Sequence, residues 1–157
     1  MTDTDRFMRR AVALSREMMD KGAGGPFGAV IVKDGDVIAE GYNRVTSCND
    51  PTAHAEIVAI RAACAALASF SLRGCDIYTS CEPCPMCLAA IYWARIGGIY
   101  YANDRADAAR IGFDDEFLYR EIGLPLEQRS IVMTRLPSAE ARDAFDAWLL
   151  KPDKTLY

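Results

Sequence analysis

Histidine is nearly absent from this chain: His54 is the single imidazole in 157 residues. Sites built on several histidines are therefore excluded, and any chemistry that needs an imidazole falls to one position. No apolar run approaches the ~18 residues of a membrane-spanning helix, so no membrane partner is expected. The first ten residues, Met1 to Arg10, contain no apolar core segment. No signal peptide is therefore visible, and the cytoplasm is the expected compartment. An excess of positive charge is also missing: 18 Lys and Arg stand against 22 Asp and Glu, a net charge of -4. The basic residues are scattered among acids. Proteins that grip folded RNA carry a basic face, because phosphate neutralisation dominates their affinity. The composition thus argues against a nucleic-acid partner. Repeats, linkers and low-complexity stretches are absent too, and the length suits one domain, residues 1–157, with its own core.

Cysteine is what the chain has instead, six in all. In a reducing compartment they are thiols rather than a disulfide framework. Cys64, inside the Ala-rich run Arg61-Ala-Ala-Cys-Ala-Ala66, and Cys75, at the head of an apolar segment, read as small core residues. Cys48 sits in a polar loop. Cys81, Cys84 and Cys87 are spaced by threes and call for a chemical explanation.

Hydrophobic spacing places them on elements. Apolar residues at Phe7, Ala11, Leu14 and Met18 predict a helix over 5–21. Two strands, 27–32 and 37–41, are joined by Lys33-Asp-Gly-Asp36, a hairpin signal. A polar, irregular stretch over 43–52 leads into a helix over 53–67, then a strand over 76–79. Pro83 is expected to open the next helix, to about Arg95, since proline is favoured at the first helical position. A strand over 98–102, helices over 105–110 and 116–122, a strand over 131–134 and a helix over 138–150 complete the pattern. The alternation predicts an α/β protein: a three-layer α/β/α sandwich around a mixed, mostly parallel five-stranded sheet.

The chemistry lies in two segments, His54-Ala-Glu56 and Pro83-Cys-Pro-Met-Cys87. One imidazole and two thiolates supply three ligands for tetrahedral zinc and leave a fourth position open, which separates catalytic from structural zinc sites. Cys84 and Cys87 share one face of a helix N-terminus, whose dipole favours thiolates. His54 falls at the start of another helix. Cys81 leaves an alternative open, because with it the site closes as a structural Cys3His centre. Glu56 carries two readings as well, a first-turn acid complementing the helix dipole or a proton carrier for water at the open position. Residues two apart in mid-helix do not share a face, so the second reading requires the helix to meet the site end-on.

Pro51-Thr-Ala-His-Ala-Glu56 and Tyr78-Thr-Ser-Cys-Glu-Pro-Cys-Pro-Met-Cys87 resemble the zinc deaminases of the cytidine deaminase-like superfamily, whose signature is H-x-E followed by P-C-x-x-C. Within that group the chain is most similar to bacterial guanine deaminases. The likeness extends to Gly24-Gly-Pro-Phe-Gly-Ala-Val-Ile-Val32, Asn43, Ala90-Ile-Tyr-Trp-Ala-Arg95, Ile111-Gly-Phe-Asp-Asp115 and the terminal Tyr157. The resemblance implies one zinc per chain on His54, Cys84 and Cys87, Glu56 as proton shuttle, and a purine substrate, guanine, converted to xanthine and ammonia. It implies that Phe27 stacks on the base, that Asn43 and Asp114 meet its edge, with Asp114 also moving protons, and that Tyr157 caps the site. It further implies a homodimer in which the C-terminal segment, about 135–157, is exchanged, so that Tyr157 comes from the partner chain.

Each of these residues has a plainer reading. Phe27 opens a strand and suits a core, Asn43 suits a turn, and Asp114 or Asp115 suits a helix cap. Tyr157 lies at a terminus, where chains fray. Three competing functions also stand: a tRNA adenosine deaminase with the same metal site, a deaminase of guanosine or another nucleoside, and a zinc-stabilised binding module without catalysis. The closing helix, Ser138 to Leu150, is net acidic, which weighs against RNA. Glu56 beside an open ligand position weighs against a purely structural zinc.

Overall fold

The structure, a computed structural model, describes residues 3–157. The chain divides into two compact units, one running to Tyr119 and the other Arg120–Tyr157. In the first unit the elements follow as α1 (Asp3–Asp20), β1 (Gly28–Lys33), β2 (Asp36–Tyr42), α2 (Val45–Cys48), α3 (Ala55–Ala66), β3 (Cys75–Cys81), α4 (Pro85–Trp93), β4 (Gly98–Asn103) and α5 (Arg105–Arg110). Next come α6 (Asp115–Gly123), a 3-10 turn (Leu126–Gln128) and α7 (Ala139–Leu150). No helix among the described residues is long and apolar enough to cross a membrane.

The sheet has the order β2-β1-β3-β4. It is mixed as expected, but it differs from the expected sheet in two respects. Among the described residues four strands are present rather than five, and only β3–β4 is a parallel pair; β1 runs antiparallel to both β2 and β3. Alternating strands and helices imply that successive strands are parallel, and β2 and β3, joined through α3, do run the same way. Their crossover skips one position, and β1, which returns from β2 by a hairpin, fills the gap. Asp34 (φ 51°) and Gly35 (φ 86°) both take left-handed conformations in that hairpin, the backbone a two-residue turn of this hand requires. The missing strand is 131–134. Ile131 and Val132 are 77% and 86% exposed, and the segment pairs with no strand among the described residues. A short, mostly apolar run becomes a strand only where another strand offers its edge.

Helices cover both sheet faces, and β1 is buried between them. Its Val30 and Val32 pack with Phe7, Ala11 and Leu14 of α1 and with Tyr78 of β3. Its Ala29 and Ile31 point the other way, into a cluster with Ala55, Ala59 and Ala63 of α3, Ile77 of β3 and Ile91 of α4. The period of two along β1 and of three to four along the helices makes this possible. The alanine stripe on α3 matters for the site. It lets the helix lie close on β2, where a Cβ at Gly41 would stand 2.1 Å from the Ala55 carbonyl oxygen and 2.5 Å from the Ala59 nitrogen. Only glycine fits there, and the N-terminus of α3 is thereby held at the end of the sheet.

In Arg120–Tyr157, Ser138 caps α7 by accepting from the Ala141 N–H at 3.1 Å. Arg129 donates to the carbonyls of Ile122 and Leu124. Glu121 accepts from the backbone N–H and the hydroxyl of Ser130 at 2.8 and 2.7 Å.

Candidate metal centre

Two helices begin at the same end of the sheet, beyond the C-terminal ends of the parallel strands β2 and β3. His54 is the N-cap of α3 and Cys84 the N-cap of α4, both with extended backbone (φ -68°, ψ 158° and φ -65°, ψ 168°). The helix-opening proline is Pro85 rather than Pro83. That shift of two residues turns Cys84 into a cap and places Cys87 in the first turn. Neither His54 nor Cys84 makes a side-chain cap hydrogen bond to its helix.

The three side chains meet. Among the described residues, the ligand atoms of His54, Cys84 and Cys87 lie within 4.8 Å of one another. His54 Nδ1 is 3.6 Å from each sulfur. Tetrahedral zinc with ordinary Zn–N and Zn–S bonds needs an N···S separation of about 3.6 Å. The donor set therefore fits zinc in kind and in spacing. Cys81 stands apart from this group: its thiol points to the Asp104 carbonyl at 3.7 Å, and burial pushes it up to about 11. Cys84 is driven the opposite way, down to about 4, by its hydrogen bonds with Cys87 and then His54, against the effect of burial. Cys84 raises the His54 pKa in return by accepting from it.

Glu56, the second residue of α3, meets the cluster because the helix approaches end-on. Its Oε2 is 3.5 Å from Cys87 Sγ and its Oε1 is 3.5 Å from the Thr79 hydroxyl. The single Thr79 proton has a better acceptor in the Cys81 carbonyl, at 3.0 Å. Glu56 is 6% exposed, and burial raises its pKa to about 7.

These groups open into a cavity of about 210 Å³. Phe27 and Asn43 line it, and Phe113 packs edge-on against Phe27 with centroids 4.8 Å apart. The Asn43 carbonyl oxygen accepts from the backbone N–H groups of Gly25 (3.3 Å) and Val45 (3.2 Å), which leaves its amide nitrogen as the group free to donate. The two neighbouring aspartates divide. Asp114 is exposed and accepts from the Phe117 N–H at 3.2 Å, the helix-cap role. Asp115 lines the cavity, and burial raises its pKa. Tyr157, in the second unit, is 73% exposed. Reading the sequence missed several lining residues, among them Glu82, Phe113 and Asp115. Phe113 and Asp115 lay in the Gly-Phe-Asp-Asp segment already singled out, but only the start of α6 decides which aspartate caps the helix. Glu82 carried no signal beyond its place between Cys81 and Pro83.

The family model for the cytidine and deoxycytidylate deaminase zinc-binding region matches residues 1–103. The chain belongs to this family. It is 56% identical over 144 residues to a guanine deaminase from Bacillus subtilis (strain 168), covering 92% of each chain. An X-ray structure of guanine deaminase from Bacillus subtilis superimposes with a TM-score of 0.95 at 54% identity, covering 98% of each chain. A tRNA-specific adenosine deaminase from Agrobacterium fabrum is 48% identical over 101 residues, 64% of this chain and 66% of that one. The family is a zinc-binding one, and His54, Cys84 and Cys87 form a donor group suited to that metal.

Proposed function

We infer that this protein is a zinc-dependent hydrolase that deaminates guanine to xanthine and ammonia, with one zinc per chain. The observation that carries the reading is the buried Glu56 beside a three-ligand set that opens into a base-sized cavity. Zinc held by three protein ligands supplies a Lewis acid with a position for water, whose pKa it brings toward ~7. The protein's own groups do the rest. Glu56 takes the proton of the attacking water, then returns protons to a ring nitrogen and to the departing amine. One carboxylate serves as base and then as acid because the steps are sequential.

The cavity supports guanine through its polar edges. The Asn43 amide nitrogen donates to O6 or N7. Guanine also presents N1–H and the C2 amine as donors, and the carboxylate that lines the cavity to receive them is Asp115. We therefore assign the edge contact to Asp115 and the helix cap to Asp114. Phe27 and Phe113 form the apolar wall for the base. Assays of ammonia release from guanine, guanosine and a tRNA anticodon stem-loop test the reading. Guanine is expected to turn over efficiently. Asp115→Asn is expected to lower kcat/KM by about 1–3 kcal/mol of lost binding, roughly 5- to 150-fold, while Asp114→Asn stays near wild type. Efficient turnover of the stem-loop with guanine untouched would reject guanine in favour of tRNA, whose binding would also fall steeply with salt.

A homodimer belongs to this reading. β4 is an edge strand, and the exposed, mostly apolar residues 131–134 pair with no strand among the described residues. Lying along β4 of a second copy, that run would make the fifth strand and complete a single deaminase domain. The tail from Lys151 would then bring Tyr157 to the partner's cavity, where it excludes water. Deleting residues 153–157 is expected to lower kcat/KM with zinc retained. Mixing that truncated chain with a Glu56→Gln chain is expected to restore part of the activity, since one site of the heterodimer has both Glu56 and the partner's tail. Demonstrated heterodimers without recovery would exclude exchange.

A further inference from the structure

The two residues that precede Cys84 belong to no strand or helix. One backbone bond to β4 and groups from α5 and α6 hold them. The Glu82 N–H donates to the Asn103 carbonyl at 2.8 Å. The Glu82 carboxylate receives Arg105 as a fork: Nη2 to Oε1 at 2.6 Å, and Nε to the two oxygens at 3.2 and 3.3 Å. The Arg105 backbone N–H adds a bond to Oε2 at 3.1 Å. The guanidinium lies 4.0 Å from the centroid of the Tyr119 ring, and the Tyr119 hydroxyl donates to the Pro83 carbonyl at 2.9 Å. Arg105 is itself anchored as the first residue of α5, whose start is locked by reciprocal Asp104 and Asp107 bonds.

We propose that Arg105 and Tyr119 are positioning residues that clamp Glu82–Pro83 and so fix the backbone from which Cys84 presents its sulfur to zinc. The proposal rests on the zinc reading of the site. Neither side chain contributes a ligand atom to the metal group. Each acts one step back, on the residue next to the ligand or the one before it. Outer partners that orient metal ligands alter affinity strongly even though they never touch the ion. A partly exposed ion pair adds little to global stability, so the consequence of the clamp is local. Arg10 offers the comparison. It grips Glu40 with the same fork, at 2.6 and 2.7 Å, but ties α1 to β2 and touches no residue of the loop before Cys84.

The test follows zinc transfer from the loaded protein to excess 4-(2-pyridylazo)resorcinol, alongside the thermal midpoint. Arg105→Gln is expected to release zinc on the order of ten-fold faster than wild type, and Tyr119→Phe by a smaller factor. Arg105→Lys, which keeps the charge and loses the fork, should fall between wild type and Arg105→Gln. Arg10→Gln should release zinc at the wild-type rate. Unchanged rates in both Arg105→Gln and Tyr119→Phe overturn the clamp, as does equal acceleration in Arg10→Gln. Should Arg105→Gln fail to fold, Tyr119→Phe decides alone, because it removes one oxygen and leaves the ring under the guanidinium. A wild-type protein that binds no zinc overturns the metal reading and the clamp with it, an outcome distinct from a loaded protein whose variants behave alike.

Discussion

Glu56→Gln is expected to leave zinc bound and the fold intact while lowering kcat by about 10²–10⁴-fold, the range typical of a general acid–base group. The amide keeps the size and the place of the side chain on α3 but cannot accept the water's proton. Its neighbours, Cys87 at 3.5 Å and Thr79 at 3.5 Å, are unaltered, so the loss falls on turnover rather than on binding. Metal analysis and steady-state kinetics on the same preparation check it. Near-normal turnover would remove Glu56 from the mechanism. Stability offers a second readout. Burial raises the Glu56 pKa to about 7 in the metal-free fold, above the value for an exposed glutamate. The folded state therefore holds its proton more tightly than the unfolded state, and the stability this confers is present at low pH and lost as pH rises through about 7. Glu56→Gln has no proton to lose. The metal-free variant should thus gain on the metal-free wild type at pH 8 relative to pH 5 in a denaturant titration.

Cys84→Ser is expected to abolish zinc binding at micromolar metal and reduce activity to background, whereas Cys81→Ser keeps both. Removing a thiolate ligand should exceed the ~10–100-fold affinity loss typical of outer partners. The contrast rests on geometry: the Cys84 sulfur is 3.6 Å from His54 Nδ1, while the Cys81 thiol turns to the Asp104 carbonyl. Metal content after dialysis separates the outcomes. Parallel zinc loss in Cys81→Ser would mean a closed four-ligand site and would remove the open position that catalysis needs.

Both predictions depend on residues that the sequence already marked. His54, Cys84 and Cys87 stand out as a candidate metal set because residue types dictate coordination chemistry, and a lone histidine leaves little choice of partner. The α/β class, the Asp34–Gly35 hairpin and most helix limits were also legible, since periodicity and turn chemistry are local properties. What stayed hidden depends on contacts between distant segments. Pro83 and Pro85 are equivalent by local rule, and only the chain's path out of β3 makes Pro85 the first residue of α4 and Cys84 its cap. Asp114 and Asp115 both suit a helix start, and the beginning of α6 turns one to the backbone and the other to the cavity. Strand direction could not be read because β1, inserted between β2 and β3, breaks the parallel order that a β-α-β alternation implies. Arg105 and Tyr119 gave no signal because their role comes from reaching a loop more than twenty residues away in sequence. Residue types and their spacing alone mark which atoms are suited to bind zinc and carry a proton. The tertiary structure alone decided which of them converge, because two helix N-termini meet only when the sheet that carries them is assembled and its core is packed.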